Sequence, residues 1–276
     1  MQQKIPDFLN LPSLPRTAFR HAPLSLVLCQ IRFPNRLGFG GDTTVASFQR
    51  AVEGEYPFVD EATDFQIQVG GLSAALSSPP VQSQSKWVFS DESDDWKLIL
   101  ASSFLSLETR QYRDFESFQE RLSFALSALV EHIQPNRCTR VGLRYINEIR
   151  NADCNWEGVV RENLLGPLSV AEISSRAISS RQEIFLRFDG RSHASVRHGL
   201  FPEGTTVDPP PTDADLSTPF YLIDIDAYGE FSKGKSIPLT VASVSELVDQ
   251  YHDVVSAFFR WSITDKYASS LAGRDA

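Results

Sequence analysis

Residues 139–150, TRVGLRYINEIR, decide the fold class of this 276-residue chain, because polar and apolar side chains alternate along a full strand length. Successive side chains of a strand point to opposite faces. The segment therefore presents two sets of side chains: Leu143, Tyr145, Asn147 and Ile149 on one face, and Arg144, Ile146, Glu148 and Arg150 on the other. It is predicted to be a sheet strand with one apolar and one charged face.

Similar short segments lie on both sides of this strand. LSLVLCQIRF (24–33), DFQIQV (64–69), KWVF (86–89), WKLILAS (96–102) and FLSLETR (104–110) precede it, and RQEIFLRF (181–188), HASVRHGLF (193–201) and FYLIDIDAY (220–228) follow it. Most of their connections are too short for a helical crossover, so antiparallel pairing is predicted.

Two long amphipathic helices are also predicted. Residues 114–133 carry an apolar stripe at helical spacing: Phe115, Phe118, Leu122, Ala125, Leu129 and Ile133. Residues 243–267 begin with Ser243 and Glu246, which are spaced as a capping box. Shorter helices are expected around Val45–Val52 and within NWEGVVRENLL (155–165).

The element order predicts an α+β fold made of two similar halves, each strand, helix, several strands, long helix. Residues 1–20 are expected to form an extended arm, 21–136 the first half and 137–276 the second. The sheet is predicted to be curved and antiparallel, with the long helices on one face. This order is similar to that of the saddle of TATA-box-binding proteins, a resemblance of topology that implies no function.

Four segments, with cores QIRF, LETRQY, GLRYIN and YHDVVSAFF, occur in this order between about residues 22 and 266. The set resembles a sporadically distributed, functionally uncharacterised family of prokaryotic proteins of about this length. The patchy occurrence of that family is similar to that of accessory genes in mobile defence and toxin–antitoxin systems. The resemblance implies no activity and no catalytic residue.

Composition and charge narrow the classes of function. The net charge of −9 disfavours a general nucleic-acid ligand or an anionic membrane surface. Cys29, Cys138 and Cys154 form no Cys-x-x-Cys pair, so no zinc or redox site is indicated. No apolar run has the length of a signal peptide or a membrane span, and a soluble, cytoplasmic protein is expected.

Arginines and carboxylates share the charged faces of several predicted strands. The candidate ligand- or partner-binding residues are Arg32, Arg110, Arg144, Arg187, Glu148, Asp224 and Asp226. They are consistent with cross-strand ion pairs on a solvated sheet, or with an arginine platform that binds an anion or a partner. Arg110 is expected to contact a ligand, whereas Arg144 is expected to be structural and paired with Glu148, Glu108 or Asn147.

Charge is segregated in the second half. Residues 176–197 contain five arginines and two acids, and residues 203–230 contain seven acids and neither lysine nor arginine. These blocks are consistent with complementary neighbouring strands, or with a surface for a charged partner.

No catalytic residue, metal site or cofactor is indicated, because the chain lacks a phosphate loop, a nucleophile elbow and a metal-ligand spacing. Asn147 and His252 are expected to be buried structural groups, and His193 and His198 to lie on opposite strand faces. The sequence thus favours a non-catalytic binding or regulatory protein with a protein partner over an enzyme. The alternative is an enzyme or sensor that binds an anionic small molecule or nucleotide through sheet-face arginines.

Overall fold

The computed structural model describes residues 19, 22–36, 39, 42–63, 85–151, 153, 155–205, 216–231 and 234–272. Three predicted features lie outside the described residues: the arm at 1–20 apart from Phe19, the strand DFQIQV, and the centre of the acidic loop at 206–215. Cys154 also lies outside them.

The described strands form one large antiparallel sheet and a small two-stranded one. The strands are β1 (Leu24–Arg32), β2 (Phe58–Thr63), β3 (Ser85–Ser90), β4 (Trp96–Ala101), β5 (Phe104–Thr109), β6 (Arg137–Cys138), β7 (Arg140–Arg150), β8 (Gln182–Arg187), β9 (Ser192–Phe201), β10 (Phe220–Glu230) and β11 (Ile237–Pro238). The large sheet has the order β2-β3-β4-β5-β1-β7-β10-β9-β8, and β11 pairs with β6.

The first strands of the two predicted halves meet at the centre of the large sheet. β1 pairs antiparallel with β7, with Val27 opposite Tyr145. Each of these strands is flanked on its other side by the last sheet strand of its own half, β5 beside β1 and β10 beside β7. The α+β class and the curved antiparallel sheet are therefore confirmed. The similarity to the TATA-box-binding saddle stays a prediction.

The described helices are α1 (Asp42–Val52), α2 (Phe115–Ala128), α3 (Glu162–Leu165), α4 (Ala171–Ser174), α5 (Val241–Ser262) and α6 (Asp265–Leu271), and α2 continues as a π-helical turn at Leu129–Ile133. α2 begins after Asp114, whose carboxylate accepts a hydrogen bond from the backbone N–H of Ser117 at 2.7 Å. This side chain satisfies one of the free N–H groups at the helix start.

α5 begins earlier and ends earlier than predicted. Its capping box joins Thr240 and Ser243, so the predicted box of Ser243 and Glu246 is wrong. Both pairs have suitable spacing, but α5 begins at Val241, three residues after β11 ends at Pro238, so its first turn precedes Ser243 and Thr240 is the N-cap. The predicted helix to residue 267 is interrupted at Ile263, which is extended and forms an isolated bridge with Val160.

The same bridge explains why the helix predicted within NWEGVVRENLL is short. Val160 pairs with Ile263, and the N–H of Arg161 donates to the carbonyl of Ser262 at 2.9 Å. Only Glu162–Leu165 is α-helical. Tertiary pairing of the two extended segments thus outweighs local helix propensity.

The main core lies between the sheet and helices α2 and α5, on the side called the helix face below. Leu122 of α2 and Val255 of α5 are both fully buried in it. α5 approaches β10 closely at Gly229, where an added Cβ atom would lie 2.3 Å from the hydroxyl oxygen of Tyr251. A larger residue at position 229 would displace the buried side chain of Tyr251.

Candidate functional site

The other side of the sheet, called the opposite face below, carries the predicted arginines and carboxylates. Its central polar residues come from β1, β5, β7 and β10 and are nearly inaccessible to solvent: Gln30, Ser106, Glu108, Arg140, Arg144, Glu148, Asp224 and Asp226. Arg144 is 6% exposed and Asp224 is 3% exposed. The interpretation of a solvated sheet surface is therefore wrong at the centre of this face.

Arg144 forms a bidentate ion pair with Asp224. Its Nε lies 2.8 Å from Oδ1 and its Nη2 lies 2.9 Å from Oδ2 of Asp224. Arg197 of β9 contacts the same carboxylate from the other side. This geometry matches the planar guanidinium to the carboxylate and leaves Arg144 largely satisfied within the chain.

The partners expected for Arg144 were Glu148, Glu108 or Asn147, and none of them is its partner. Leu28 of β1 lies opposite both Arg144 and Glu108, so an apolar side chain separates the two charged residues. Asn147 points to the helix face, where its amide donates to the carbonyl of Ile223 at 3.0 Å. Glu148 accepts from Arg150.

Arg140 is a further buried member of this network, and it was not among the predicted site residues. Its Nη2 lies 2.9 Å from Oδ2 of Asp226, and its guanidinium lies 4.6 Å from the ring centroid of Tyr228. The group folds over Gly142, where an added Cβ atom would lie 2.6 Å from Nη1 of Arg140. Extending the alternation of GLRYIN by two residues toward the N-terminus would have identified it.

The two adjacent aspartates of β10 have opposite pKa shifts. Burial raises the pKa of Asp224, but the charges of Arg144 and Arg197 outweigh burial and hold the pKa below its usual range. Burial raises the pKa of Asp226, and the positive charge of its partner Arg140 lowers that pKa only in part, so the pKa lies above its usual range. The difference arises because Asp224 receives two guanidinium groups, whereas Asp226 has one close cation and a like charge beside it.

Glu108 and Glu148 are two further buried carboxylates of the opposite face. Burial raises the pKa of Glu108, although the hydroxyl of Ser106 donates to its carboxylate at 3.1 Å. One carboxylate oxygen of Glu148, Oε1, is buried and has no hydrogen-bond partner among the described residues. Arg110 lies beyond β5, and its Nη1 is 3.4 Å from the carbonyl oxygen of Ser25.

The four predicted arginines do not converge on one point. Arg32 lies opposite Arg140 and donates to Gln30 at 2.7 Å, whereas Arg187 lies exposed on β8. Because β8 is three strands from β7 and strands lie about 4.8 Å apart, the backbones at Arg187 and Arg144 are separated by roughly 14 Å or more. The guanidinium of Arg144 is also held by Asp224, so these two arginines do not form a shared anion site.

The predicted histidines lie in separate surroundings. The Nδ1 of His252 is 3.0 Å from the hydroxyl oxygen of Tyr145, and its ring stacks on Phe115 with centroids 3.8 Å apart. His193 stacks against Tyr228 on the opposite face, whereas Nδ1 of His198 lies 2.9 Å from the hydroxyl oxygen of Tyr221 on the helix face. His193 and His198 therefore cannot share a metal ion.

Strand β8 is the exposed edge of the large sheet on the side of the second half. It pairs with β9 alone among the described strands, and five of its six residues are exposed. Ile184 and Phe185 are each 38% exposed and point to different faces. The sequence identified this strand, but its edge position has no sequence signal because the pattern does not define strand neighbours.

Within the described ranges, no group of three or more His, Cys, Asp or Glu side chains is arranged to hold a metal ion. No helix in the described part of the chain is both long and apolar enough to cross a membrane. Neither a protein-family model nor a curated protein matches the sequence.

Proposed function

We propose that the protein is a non-catalytic binding or regulatory protein that engages a macromolecular partner through strand β8 and the arginines around it. The observation that carries this proposal is the exposed edge strand with apolar side chains on both faces. Such an edge presents unpaired backbone groups that an additional strand can bind.

The surroundings of β8 add positive charge to this edge. The exposed arginines are Arg176, Arg181, Arg187 and Arg191, on a chain whose net charge is −9. Ile178, which is 76% exposed, extends the apolar surface just before the strand. A basic surface with exposed apolar side chains is typical of recognition by another macromolecule.

The alternative, an enzyme or sensor for an anionic small molecule or nucleotide, has less support. Arg144 is bound by Asp224, and the backbone at Arg187 lies roughly 14 Å or more away from that at Arg144, across three strand spacings. The buried arginines therefore act as internal partners of the aspartates and are poorly placed to hold a shared anion.

Isolation of the tagged full chain from its native host tests the proposal. A stoichiometric protein is expected with the wild type and is expected to be lost with Phe185→Asp. Phe124→Asp is the matched control, because Phe124 is 37% exposed but lies on α2. A bound nucleotide or phosphorylated metabolite without any protein, or equal binding by both variants, would contradict the proposal.

A further inference from the structure

We infer that the partner bound by the β8 edge is a second copy of this chain, paired antiparallel about a twofold axis at Phe185. This inference rests on the proposed function, since it names the occupant of the same edge. A twofold interface uses one surface patch twice, so the patch must be complementary to itself. The sequence and hydrogen bonding of β8 meet that condition in one register.

The hydrogen bonds at the two ends of the β8–β9 ladder show which backbone groups face the free edge. The N–H of Ser180 donates to the carbonyl of Leu200, and the N–H of Phe188 donates to the carbonyl of Ser192, both at 3.0 Å. Hydrogen-bonded pairs alternate along an antiparallel ladder, so the even-numbered residues of β8 bond to β9. The N–H and C=O groups of Glu183, Phe185 and Arg187 therefore point outward.

These outward residues are complementary when Phe185 lies opposite Phe185 of the second copy. Glu183 then lies opposite Arg187 of the second copy. Glu183, Phe185 and Arg187 all lie on the opposite face, because their separations along the strand are even. This register therefore forms two Glu183–Arg187 ion pairs, one on each side of a contact between the two Phe185 rings.

The neighbouring twofold registers are electrostatically unfavourable. Centring the axis on Ile184 sets Arg181 against Arg187 of the second copy, and centring it on Leu186 brings Glu183 to the turn that contains Asp189 of the second copy. Centring the axis on Glu183 places the two copies of Glu183 opposite each other, and centring it on Arg187 does the same with the two copies of Arg187. Like charges directly opposite each other destabilise a strand pair.

The two edges of the sheet differ in their protection against pairing. β2, the edge strand at the other end of the described sheet, carries the exposed acids Asp60 and Glu61 side by side, so two copies of it repel each other. β8 contains no proline, lysine or described bulge that would block an added strand. Its opposite charges, on Glu183 and Arg187, are instead four positions apart along the strand, as pairing with a second copy requires.

Sedimentation velocity of the purified full chain tests the inference. The wild type is expected to be a dimer, and Glu183→Arg or Arg187→Glu is expected to weaken dimerisation by roughly tenfold or more, since each change creates two like-charge pairs. The double variant Glu183→Arg/Arg187→Glu reverses both pairs and is expected to restore the dimer. Arg50→Glu, the matched control, makes the same charge change at an exposed position of α1 and should leave the dimer intact.

Cross-linking tests the register directly in a Cys154→Ser background. Residues of a hydrogen-bonded pair have Cα atoms about 5.5 Å apart, which a disulfide can join. Phe185→Cys should therefore oxidise to a covalent dimer, whereas Ile184→Cys should not, because Ile184 faces Leu186 of the second copy. Preferential cross-linking of the Ile184→Cys variant would overturn the register.

A wild-type chain that stays monomeric at high concentration, or a double variant that fails to recover, would overturn the inference. The proposed function would survive that result if the native host still yields a different protein that is lost with Phe185→Asp. Conversely, a dimer whose only native ligand is a metabolite bound equally by the Phe185→Asp variant would contradict the proposed function and leave the inference standing.

Discussion

On the helix face, β7 and β10 bury Leu143, Ile223 and Ile225, whereas on the opposite face the same strands bury Arg144, Asp224 and Asp226. Both sets are nearly inaccessible to solvent, yet only the first set gains free energy simply from leaving water. The charged set loses hydration and regains it only through specific partners. Burial of apolar side chains on the helix face therefore tolerates imprecise packing better than burial of charged side chains on the opposite face does.

The difference also concerns how each face responds to change. An apolar contact is shared among many neighbours, whereas Arg144 makes its two ion-pair hydrogen bonds to a single carboxylate. Removal of Asp224 leaves Arg144 buried without its ion-pair partner, and removal of Arg144 leaves Asp224 with Arg197 alone. On the opposite face, the stability of the protein is therefore expected to depend on which charged residues are paired and on pH. On the helix face, it is expected to depend on whether a substitution introduces charge or changes side-chain volume.

The largest expected effect is the introduction of charge on the helix face. Leu122→Asp and Val255→Asp should each unfold the protein, because each buries a carboxylate without a partner between helix and sheet. Circular dichroism with thermal melting measures this effect. Ser127→Asp, at an exposed position of α2, is the control and should melt as the wild type does. Cooperative melting of either core variant near the wild-type temperature would contradict the packing of these helices on the sheet.

A smaller loss is expected from breaking the Arg144–Asp224 pair. Arg144→Met should cost about 3 kcal/mol of unfolding free energy in urea titrations, because it removes the bidentate partner of the buried Asp224 and leaves only the partly exposed Arg197. The double variant Arg144→Met/Asp224→Leu should recover most of this loss, since it removes both charges. Arg110→Met is the matched control, and its partly exposed side chain should contribute less than about 1 kcal/mol. Equal losses of unfolding free energy for Arg144→Met and Arg110→Met would show that burial of the Arg144–Asp224 pair does not determine the loss.

The smallest effect is a pH-dependent gain in stability from Glu108→Gln. Burial raises the pKa of Glu108, so the folded protein holds this proton more tightly than the unfolded chain does. Wild-type stability therefore decreases as the pH rises from about 4, the unfolded value, through the raised folded value. The variant should melt a few degrees higher than the wild type at pH 8, since about 1 kcal/mol of unfolding free energy corresponds to roughly 2–4 °C in melting temperature. The difference between the two melting temperatures should vanish near pH 4.

Asp224→Asn provides the control of opposite sign. The guanidiniums of Arg144 and Arg197 overcome burial and lower the pKa of Asp224, so its contribution is present above the unfolded value near 4 and is lost as the pH falls through the lower folded value. This variant should be less stable than the wild type at pH 8, and the deficit should shrink under acidic conditions. Parallel pH profiles for the two variants would contradict the assignment of the shifts.

The sequence was sufficient to predict most of the longer strands, their two faces and the long helices, because alternation and helical spacing are local properties. It did not predict β2 (Phe58–Thr63). It assigned Arg144 and Leu143 to opposite faces of β7, as the structure shows. It could not identify Asp224 as the partner of Arg144, because the two residues are 80 positions apart and strand order is not encoded in alternation.

The burial of the opposite face could not be predicted from periodicity either. Polar residues at alternate positions indicate a face in contact with water. Buried polar residues that form ion pairs give the same pattern. Gly142 was the available signal, since a glycine beside Arg140 on one face leaves room for a guanidinium to lie flat on the strand. The edge position of β8 follows only from the completed pairing of β9 with β10.

The central pairing of β1 with β7 has a consequence for how the chain is made. The hydroxyl of Ser25 donates to the carbonyl of Ile146 across this pairing, and the two residues are 121 positions apart. At a synthesis rate of about 5–20 residues per second, β1 waits roughly 6–24 s for its second neighbour. During that interval one edge of β1 has no neighbouring strand, so the nascent chain exposes a strand edge that is buried within the sheet of the finished protein.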